Sequence, residues 1–212
     1  MFYFLKIPGF LKKLFQACIW EIPTKEKVLY LTFDDGPHPE ATPFVLTQLQ
    51  RYQAKGTFFC IGKNVVAHPE IYQQVQASGN SIGNHTQNHL NGWKTDTSNY
   101  LENIQLATQH IQSNLFRPPY GRITPAQIKA IGDKGMGFKI IMWSVLSGDF
   151  DIHLTPKKCY DHVIERTEPG SIIVFHDSEK AFPRLKVVLP DILKYYSEKG
   201  YRFEAIQAEN LS

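Results

Sequence analysis

The run Leu29-Tyr30-Leu31-Thr32-Phe33-Asp34-Asp35-Gly36-Pro37 constrains the fold most, because an uncharged stretch stops abruptly at two adjacent carboxylates followed by Gly and Pro. Val28 to Phe33 is rich in β-branched and aromatic residues, the pattern of a strand covered on both faces in a parallel sheet. Gly36 and Pro37 then turn the chain. Neighbouring carboxylates repel and each is costly to desolvate, so a pair held at a strand end calls for a cation nearby. A solvated Asp-Asp-Gly turn uses the same residue types. What else reaches these acids decides between the two.

Past this turn the periodicity alternates. Helical spacing over 41–52 precedes an uncharged strand at 57–61, and a helix over 64–77 precedes a short strand at 81–84 that runs into His85. A helix over 99–113 follows, with Asn99 and Glu102 at capping-box spacing. Strands are then expected at 115–117, 138–145, 171–175 and 201–206, separated by helices over 125–134, 156–166 and 185–196. Strands alternating with helices predict a parallel α/β architecture with right-handed crossovers. Asp34, Asp35, His85, Arg117, Asp149 and His176 follow five different strands. A closed barrel brings all such ends to one mouth, whereas an open sheet gathers its ligand residues at a switch point, so the spread favours a barrel.

A chain of 212 residues supports one sizeable core. The expected division is a main domain over 25–212 and an N-terminal segment over 1–24. In that segment Phe10, Leu11, Leu14, Phe15 and Cys18 fall on one side of a helix, with Lys12, Lys13 and Gln16 largely off it. Such a helix suits packing on one end of the domain or contact with a membrane surface. Lysines and Pro8 interrupt the apolar residues, no small-x-small cleavage site follows, and no stretch reaches the ~20 apolar residues of a transmembrane span. The expectation is a cytoplasmic or membrane-associated protein. The net charge of +3 says little about partners, but no Lys/Arg block or basic stripe interleaved with aromatics appears, so no nucleic-acid partner is expected. Cys18, Cys60 and Cys159 are too widely spaced to suggest a disulfide framework or a zinc ribbon.

His85-Thr86-Gln87-Asn88-His89 places two imidazoles four residues apart, which on one turn of helix would project from the same face. With Asp35 they offer a divalent metal two nitrogens and an oxygen and leave positions open for water. The metal is therefore assigned to Asp35, His85 and His89.

Taken in order, Thr32-Phe33-Asp34-Asp35-Gly36, His85 to His89, Arg117-Pro118-Pro119-Tyr120, Trp143 to Phe150 and Val174-Phe175-His176 resemble the five motifs of the polysaccharide deacetylase family, carbohydrate esterase family four. The resemblance spans about residues 28–206. It implies a distorted, incomplete (β/α) barrel of about seven parallel strands. It also implies a metal-dependent hydrolase that removes N-acetyl groups from an N-acetylated sugar, glycan or glycoconjugate, with zinc first among zinc, cobalt, nickel, manganese and iron. Carried onto this sequence, it makes Asp34 the general base and Arg117 its positioning partner. The Tyr120 backbone N–H becomes an oxyanion donor, and His176 the general acid, compensated by Asp149 with neighbouring Asp177 able to share the task.

The fourth motif departs from the family pattern Asp-x-x-Asp-Trp, since Leu146 stands for the first acid and Phe150 for the tryptophan. Those changes touch a substrate wall rather than the metal or the base. Two other functions fit the same motifs: the same machinery acting on a non-sugar amide or formyl group, and a catalytically silent carbohydrate-binding relative.

Overall fold

Val28–Asp34 forms a strand whose side chains alternate between two covered faces. A computed structural model describes Gly9 and residues 15–211. In chain order it contains β1 (Cys18–Ile19), β2 (Val28–Asp34), α1 (Ala41–Arg51), β3 (Gly56–Cys60), α2 (Gly62–Ala67), α3 (Pro69–Ala77), β4 (Ser81–Asn84) and α4 (Thr97–Thr108). There follow β5 (Leu115–Phe116), α5 (Pro125–Asp133), β6 (Lys139–Ile141), β7 (Val145–Leu146), α6 (Pro156–Ile164), β8 (Ile172–His176), α7 (Phe182–Glu198) and β9 (Arg202–Phe203).

Leu29, Leu31 and Phe33 face the outer helices and share one core with Val45 and Leu49 of α1 and Leu185, Leu189 and Leu193 of α7. The Phe33 ring stacks on Phe58 at 4.9 Å and on Phe175 at 6.1 Å. Truncating such a fully buried aromatic typically costs about 3–5 kcal/mol. Tyr30, Thr32 and Asp34 occupy the opposite face by the two-residue period. That face lies inside the barrel.

The strands form one nine-stranded sheet in the order β1-β6-β5-β4-β3-β2-β8-β7, with β9 on β2, and every pairing is parallel. The expected incomplete barrel is borne out. Register places Asp34 opposite Phe59 of β3 and His176 of β8, so the carboxyl ends of the three strands are level.

Five expectations are corrected. The strand predicted over 138–145 is two strands at distant places in the sheet, β6 beside β5 and β7 beside β8. Between them Met142 N–H donates to Ile19 and Ser144 N–H to Ile172, at 2.7 and 3.1 Å, so the crossing chain spans the barrel's open side. The helix expected to include Cys18 does not reach it, because Cys18–Ile19 pairs with β6, while residues 10–14 lie outside the described residues. The following Glu21 bridges Ser171 and Ile22 N–H donates to Gly170 at 2.9 Å, so this segment also helps to close the gap. The helix over 64–77 breaks at His68, whose φ of −135° and ψ of 58° lie outside the helical region, as the residue before a proline tends to. The helix expected to be capped at Asn99 begins two residues earlier and is capped by Asp96, whose Oδ1 accepts from Asn99 N–H at 3.0 Å. The last strand shrinks to Arg202–Phe203. The additional β1 and the division of 138–145 account for nine strands in place of about seven. No helix among the described residues is long and apolar enough to cross a membrane.

Candidate active site

β2 delivers Asp34 and then Asp35 at its carboxyl end, and Asp35 takes a positive φ of 81° as the chain turns. Gly36 is required there: its N–H donates to Asp177 Oδ1 at 3.1 Å, and a Cβ would stand 2.1 Å from that carboxylate. Asn64 Nδ2 fixes the same turn by donating to the Asp35 carbonyl at 2.7 Å.

The two histidines converge without a helix. Thr86 and His89 have positive φ values of 65° and 56°, and the loop between them is held by side chains of neighbouring elements. Asn84 Oδ1 accepts from Thr86 N–H at 2.8 Å, and Asn103 of α4 accepts from Asn88 N–H through Oδ1 at 3.0 Å. The imidazole centroids lie 5.1 Å apart. The helical premise is thus corrected, whereas the grouping of Asp35, His85 and His89 is observed.

Donor atoms of Asp35, His85 and His89 lie within 4.8 Å of one another. Nε2 of His85 and of His89 face Asp35 Oδ1 at 3.7 and 3.1 Å. This buried oxygen accepts no hydrogen bond of good geometry. His85 Nδ1 contacts the Arg117 carbonyl at 2.8 Å, which places a proton on Nδ1 and leaves Nε2 as a lone-pair donor. Burial lowers the His85 pKa to about 4, so the ring is neutral near pH 7. For Asp35 burial acts in the opposite sense, but the imidazoles of His89, His176 and His85 together hold its carboxyl well below the usual range. Two imidazole nitrogens converging on a carboxylate whose buried oxygen lacks a hydrogen-bond partner fit a divalent metal ion.

Beside this trio Arg117 is fully buried and saturated. Its Nη1 donates to Asp34 Oδ1 and to Thr32 Oγ1, each at 2.7 Å; Nε donates to the Ile141 carbonyl at 3.1 Å and Nη2 to that of Met142 at 2.9 Å. Phe59 lies beneath the guanidinium, 4.1 Å from its Cζ. Arg117 is therefore no surface ion-pair partner. It holds Asp34, 3% exposed, in one orientation through a charge-assisted hydrogen bond.

His176 closes the other side. Its Nδ1 lies 2.8 Å from Asp149 Oδ1, and its backbone N–H donates to Asp149 Oδ2 at 2.8 Å. Burial disfavours the imidazolium, but the Asp149 carboxylate overrides it and raises the pKa to about 9. Arg184 Nε in turn donates to the Asp149 carbonyl. Asp177 does not share this task. It is turned under the Gly36 backbone and receives the Thr42 hydroxyl on Oδ2 at 2.5 Å, and burial pushes its carboxyl up to about 8. Phe150 meets the His176 ring edge-on at 5.1 Å, and Tyr120, with φ 61°, lays its ring 4.5 Å from that of His89.

These groups surround one cavity of about 560 Å³, whose lining includes Asp34, Asp35, His85, His89, Tyr120 and His176. Leu146, Phe150 and Val174 form part of its apolar wall. The sequence reading gave no role to His38, Ile61, Lys63 or Asn64, which also line it. Ile61 ends the strand expected at 57–61 and Lys63 and Asn64 follow it, and a closed barrel brings that strand end to the same mouth as the others.

A parallel barrel carries an Asp-His-His trio, able to hold a metal ion, between an Arg-held aspartate and an Asp-held histidine. The chain belongs to the polysaccharide deacetylase family, whose model matches residues 21–138. Members of this family include peptidoglycan and chitooligosaccharide deacetylases, hydrolases of carbon–nitrogen bonds other than peptide bonds. A peptidoglycan-N-acetylglucosamine deacetylase of Bacillus cereus is 35% identical over 194 residues, covering 88% of this chain and 90% of that protein. A chitooligosaccharide deacetylase of Azorhizobium caulinodans is 34% identical over 163 residues, covering 74% of this chain and 76% of its own. The crystal structure of the Bc1960 peptidoglycan N-acetylglucosamine deacetylase superposes with a TM-score of 0.81 at 29% identity, covering 90% of this chain and 91% of that one.

Proposed function

We propose that this protein hydrolyses the acetamido group of an N-acetylated amino sugar within a glycan, releasing acetate and leaving the free amine. The observation that carries this reading is the register of Asp34 with His176 on adjacent strands, which sets an Arg-held carboxylate and an Asp-held imidazole beside the Asp35-His85-His89 trio. The relatives' names, peptidoglycan and chitooligosaccharide deacetylases, support an N-acetylglucosamine-type substrate.

Asp35, His85 and His89 would hold the metal, zinc first among the metals that such a donor set suits. When bound, the ion supplies Lewis acidity toward the attacking water and the acyl oxygen. Asp34 accepts the proton from that water, on Oδ2, because Oδ1 is engaged by Arg117. The Tyr120 N–H donates to the acyl oxygen as negative charge develops there, a contribution of typically ~3 kcal/mol per donor. As the carbon–nitrogen bond breaks, His176 gives its Nε2 proton to the departing amine, and Asp149 holds Nδ1 and compensates the charge. The wall of Leu146 and Phe150 makes this side of the cavity apolar where the family pattern is more polar, which suits the acetyl methyl group.

Acetate release from N-acetylglucosamine oligomers, peptidoglycan fragments and N-acetylated monosaccharides tests the reading, with metal-stripped protein reconstituted with each candidate ion. Release that depends on metal and vanishes in Asp34→Asn at unchanged metal content is expected. No release from any sugar, with one equivalent of metal bound, would overturn it.

A further inference from the structure

Several large apolar side chains stand exposed in segments that leave the carboxyl ends of strands, where the catalytic cavity opens: Val66 after β3, Trp93 after β4, Tyr120 after β5 and Ile152 after β7. Single exposed apolar residues are ordinary. Trp93 differs in being both 62% exposed and rigidly held.

Its indole Nε1–H donates to the Ile123 carbonyl at 3.3 Å, and its backbone N–H donates to Asn91 Oδ1 at 3.0 Å. The turn that carries it, Gly92–Lys94, is pinned from below by buried Gln127, whose Nε2 donates to the Gly92 and Thr95 carbonyls at 2.8 and 3.1 Å. Gly92 fits tightly against the neighbouring segment, since a Cβ would stand 2.3 Å from the Arg122 carbonyl. The Arg122 guanidinium lies 5.0 Å from the centre of the Trp93 ring. The ring's polar atom is thus satisfied within the protein and its orientation is fixed, yet most of its surface faces solvent. A plate held in place before binding loses little conformational entropy when a ligand covers it.

The short segment Tyr120–Arg122 links the plate to the cavity wall. Arg122 is two residues from Tyr120, whose half-exposed ring packs on metal-ligand candidate His89, and Gly121 between them abuts Trp143 of the cavity wall. We propose that Trp93 and Arg122 form a distal sugar subsite, in which a pyranose stacks its C–H face on the indole while the guanidinium donates to a ring substituent's oxygen. The subsite rests on the deacetylase reading above and takes a residue of the same glycan strand at least two units from the one in the cavity, beyond the reach of a disaccharide. A lone amino sugar fills the cavity without it.

The test uses zinc-loaded protein with the di- and hexasaccharides of N-acetylglucosamine, comparing wild type, Trp93→Ala and Trp93→Phe. In Trp93→Ala the KM for the hexasaccharide rises about ten-fold relative to that for the disaccharide, and Trp93→Phe restores most of the difference. Independently of turnover, the indole Nε1–H resonance of Trp93, assigned by its loss in Trp93→Phe, is followed in Asp34→Asn protein. It shifts on addition of hexasaccharide and stays in place with the monosaccharide. An unaltered KM ratio, or a resonance that no oligomer moves, overturns the subsite even if acetate is released. A shift without acetate release by the wild type retains the subsite and removes the deacetylase reading.

Discussion

Arg117 Nη1 stands 2.7 Å from Asp34 Oδ1, while the carbonyl of the same arginine receives His85 Nδ1 at 2.8 Å. One residue therefore orients both the carboxylate beside the trio and one of the trio's imidazoles. Its buried charge is satisfied by Asp34, Thr32 and two main-chain carbonyls, so its removal leaves several polar groups unpaired at once.

Arg117→Lys keeps the charge and loses the fork, since an ammonium cannot hold acceptors on β2 and on the β6 side together. Turnover is expected to fall about 100-fold through misplacement of Asp34. Arg117→Ala, which leaves Asp34 buried and unpaired, is expected to cost about 3–5 kcal/mol of stability. Acetate-release kinetics and urea unfolding midpoints check the two effects.

The adjacent aspartates are expected to separate functionally. Asp35→Asn loses the anionic ligand and, after dialysis, retains well under one equivalent of metal, whereas Asp34→Asn retains a full equivalent and lacks turnover. Elemental analysis alongside kinetics distinguishes them. Equal metal loss in both variants would mean that the two carboxylates share the ion.

His176 titrates far above a free imidazole. In metal-free protein its resonances are expected to titrate near the raised value of about 9, with Asp149→Asn bringing the midpoint back toward 6.5. Because the folded pKa is raised, the His176–Asp149 pair contributes its full stability below pH 6.5 and loses it as pH climbs through about 9. In the metal-loaded enzyme the alkaline limb of kcat falls at or below that pH, since a nearby cation disfavours imidazolium, and His176→Ala removes the limb.

Asp177 gives a second pH signature, in stability rather than activity. Burial, assisted by the Asp35 charge, raises its carboxyl from 3.8 to about 8, against the pull of its bonds to Thr42 and Gly36. The folded state prefers the neutral acid, so this group costs stability progressively as pH rises from 3.8 through 8. Asp177→Asn stays neutral and keeps an oxygen for the Gly36 N–H. Its Tm should match wild type near pH 4 and exceed it increasingly toward pH 9, as thermal melts across that range would show.

Much of this site was legible because its chemistry sits at strand ends that local patterning predicts. The run before Asp34 and the strand ending at His176 are uncharged and largely apolar, so their polar termini stand out, and the short uncharged strand before His85 is marked by its place between two helical stretches. Less legible was whatever depends on a partner distant in the chain. The stretch 138–145 is apolar but for Lys139 and Ser144 and carries no Gly or Pro, so nothing local indicates that it leaves β6 after Ile141 and re-enters beside β8; the break follows from Ile19, Ile172 and the Arg117 guanidinium claiming its backbone groups. The His85-His89 spacing suggested a helical turn, but Asn84 and Asn103 hold a loop with residues in positive φ. Asp177, adjacent to His176 in sequence, faces the other way because alternate residues of a strand do so.

By itself, then, the sequence determined which residue types stand at the carboxyl ends of the strands, and hence the candidate trio of Asp35, His85 and His89, since hydrophobic periodicity and strand termination are local properties; the roles of Asp34 and His176 were expected from the family resemblance. Only the tertiary structure decided the order of the strands, the closing of the barrel by Cys18–Ile22 and Met142–Ser144, the burial of Arg117 between Asp34 and His85, and the separation of Asp149 from Asp177. Those outcomes depend on which distant donors and acceptors remain unsatisfied once the strands are paired, and no short window of sequence contains both partners.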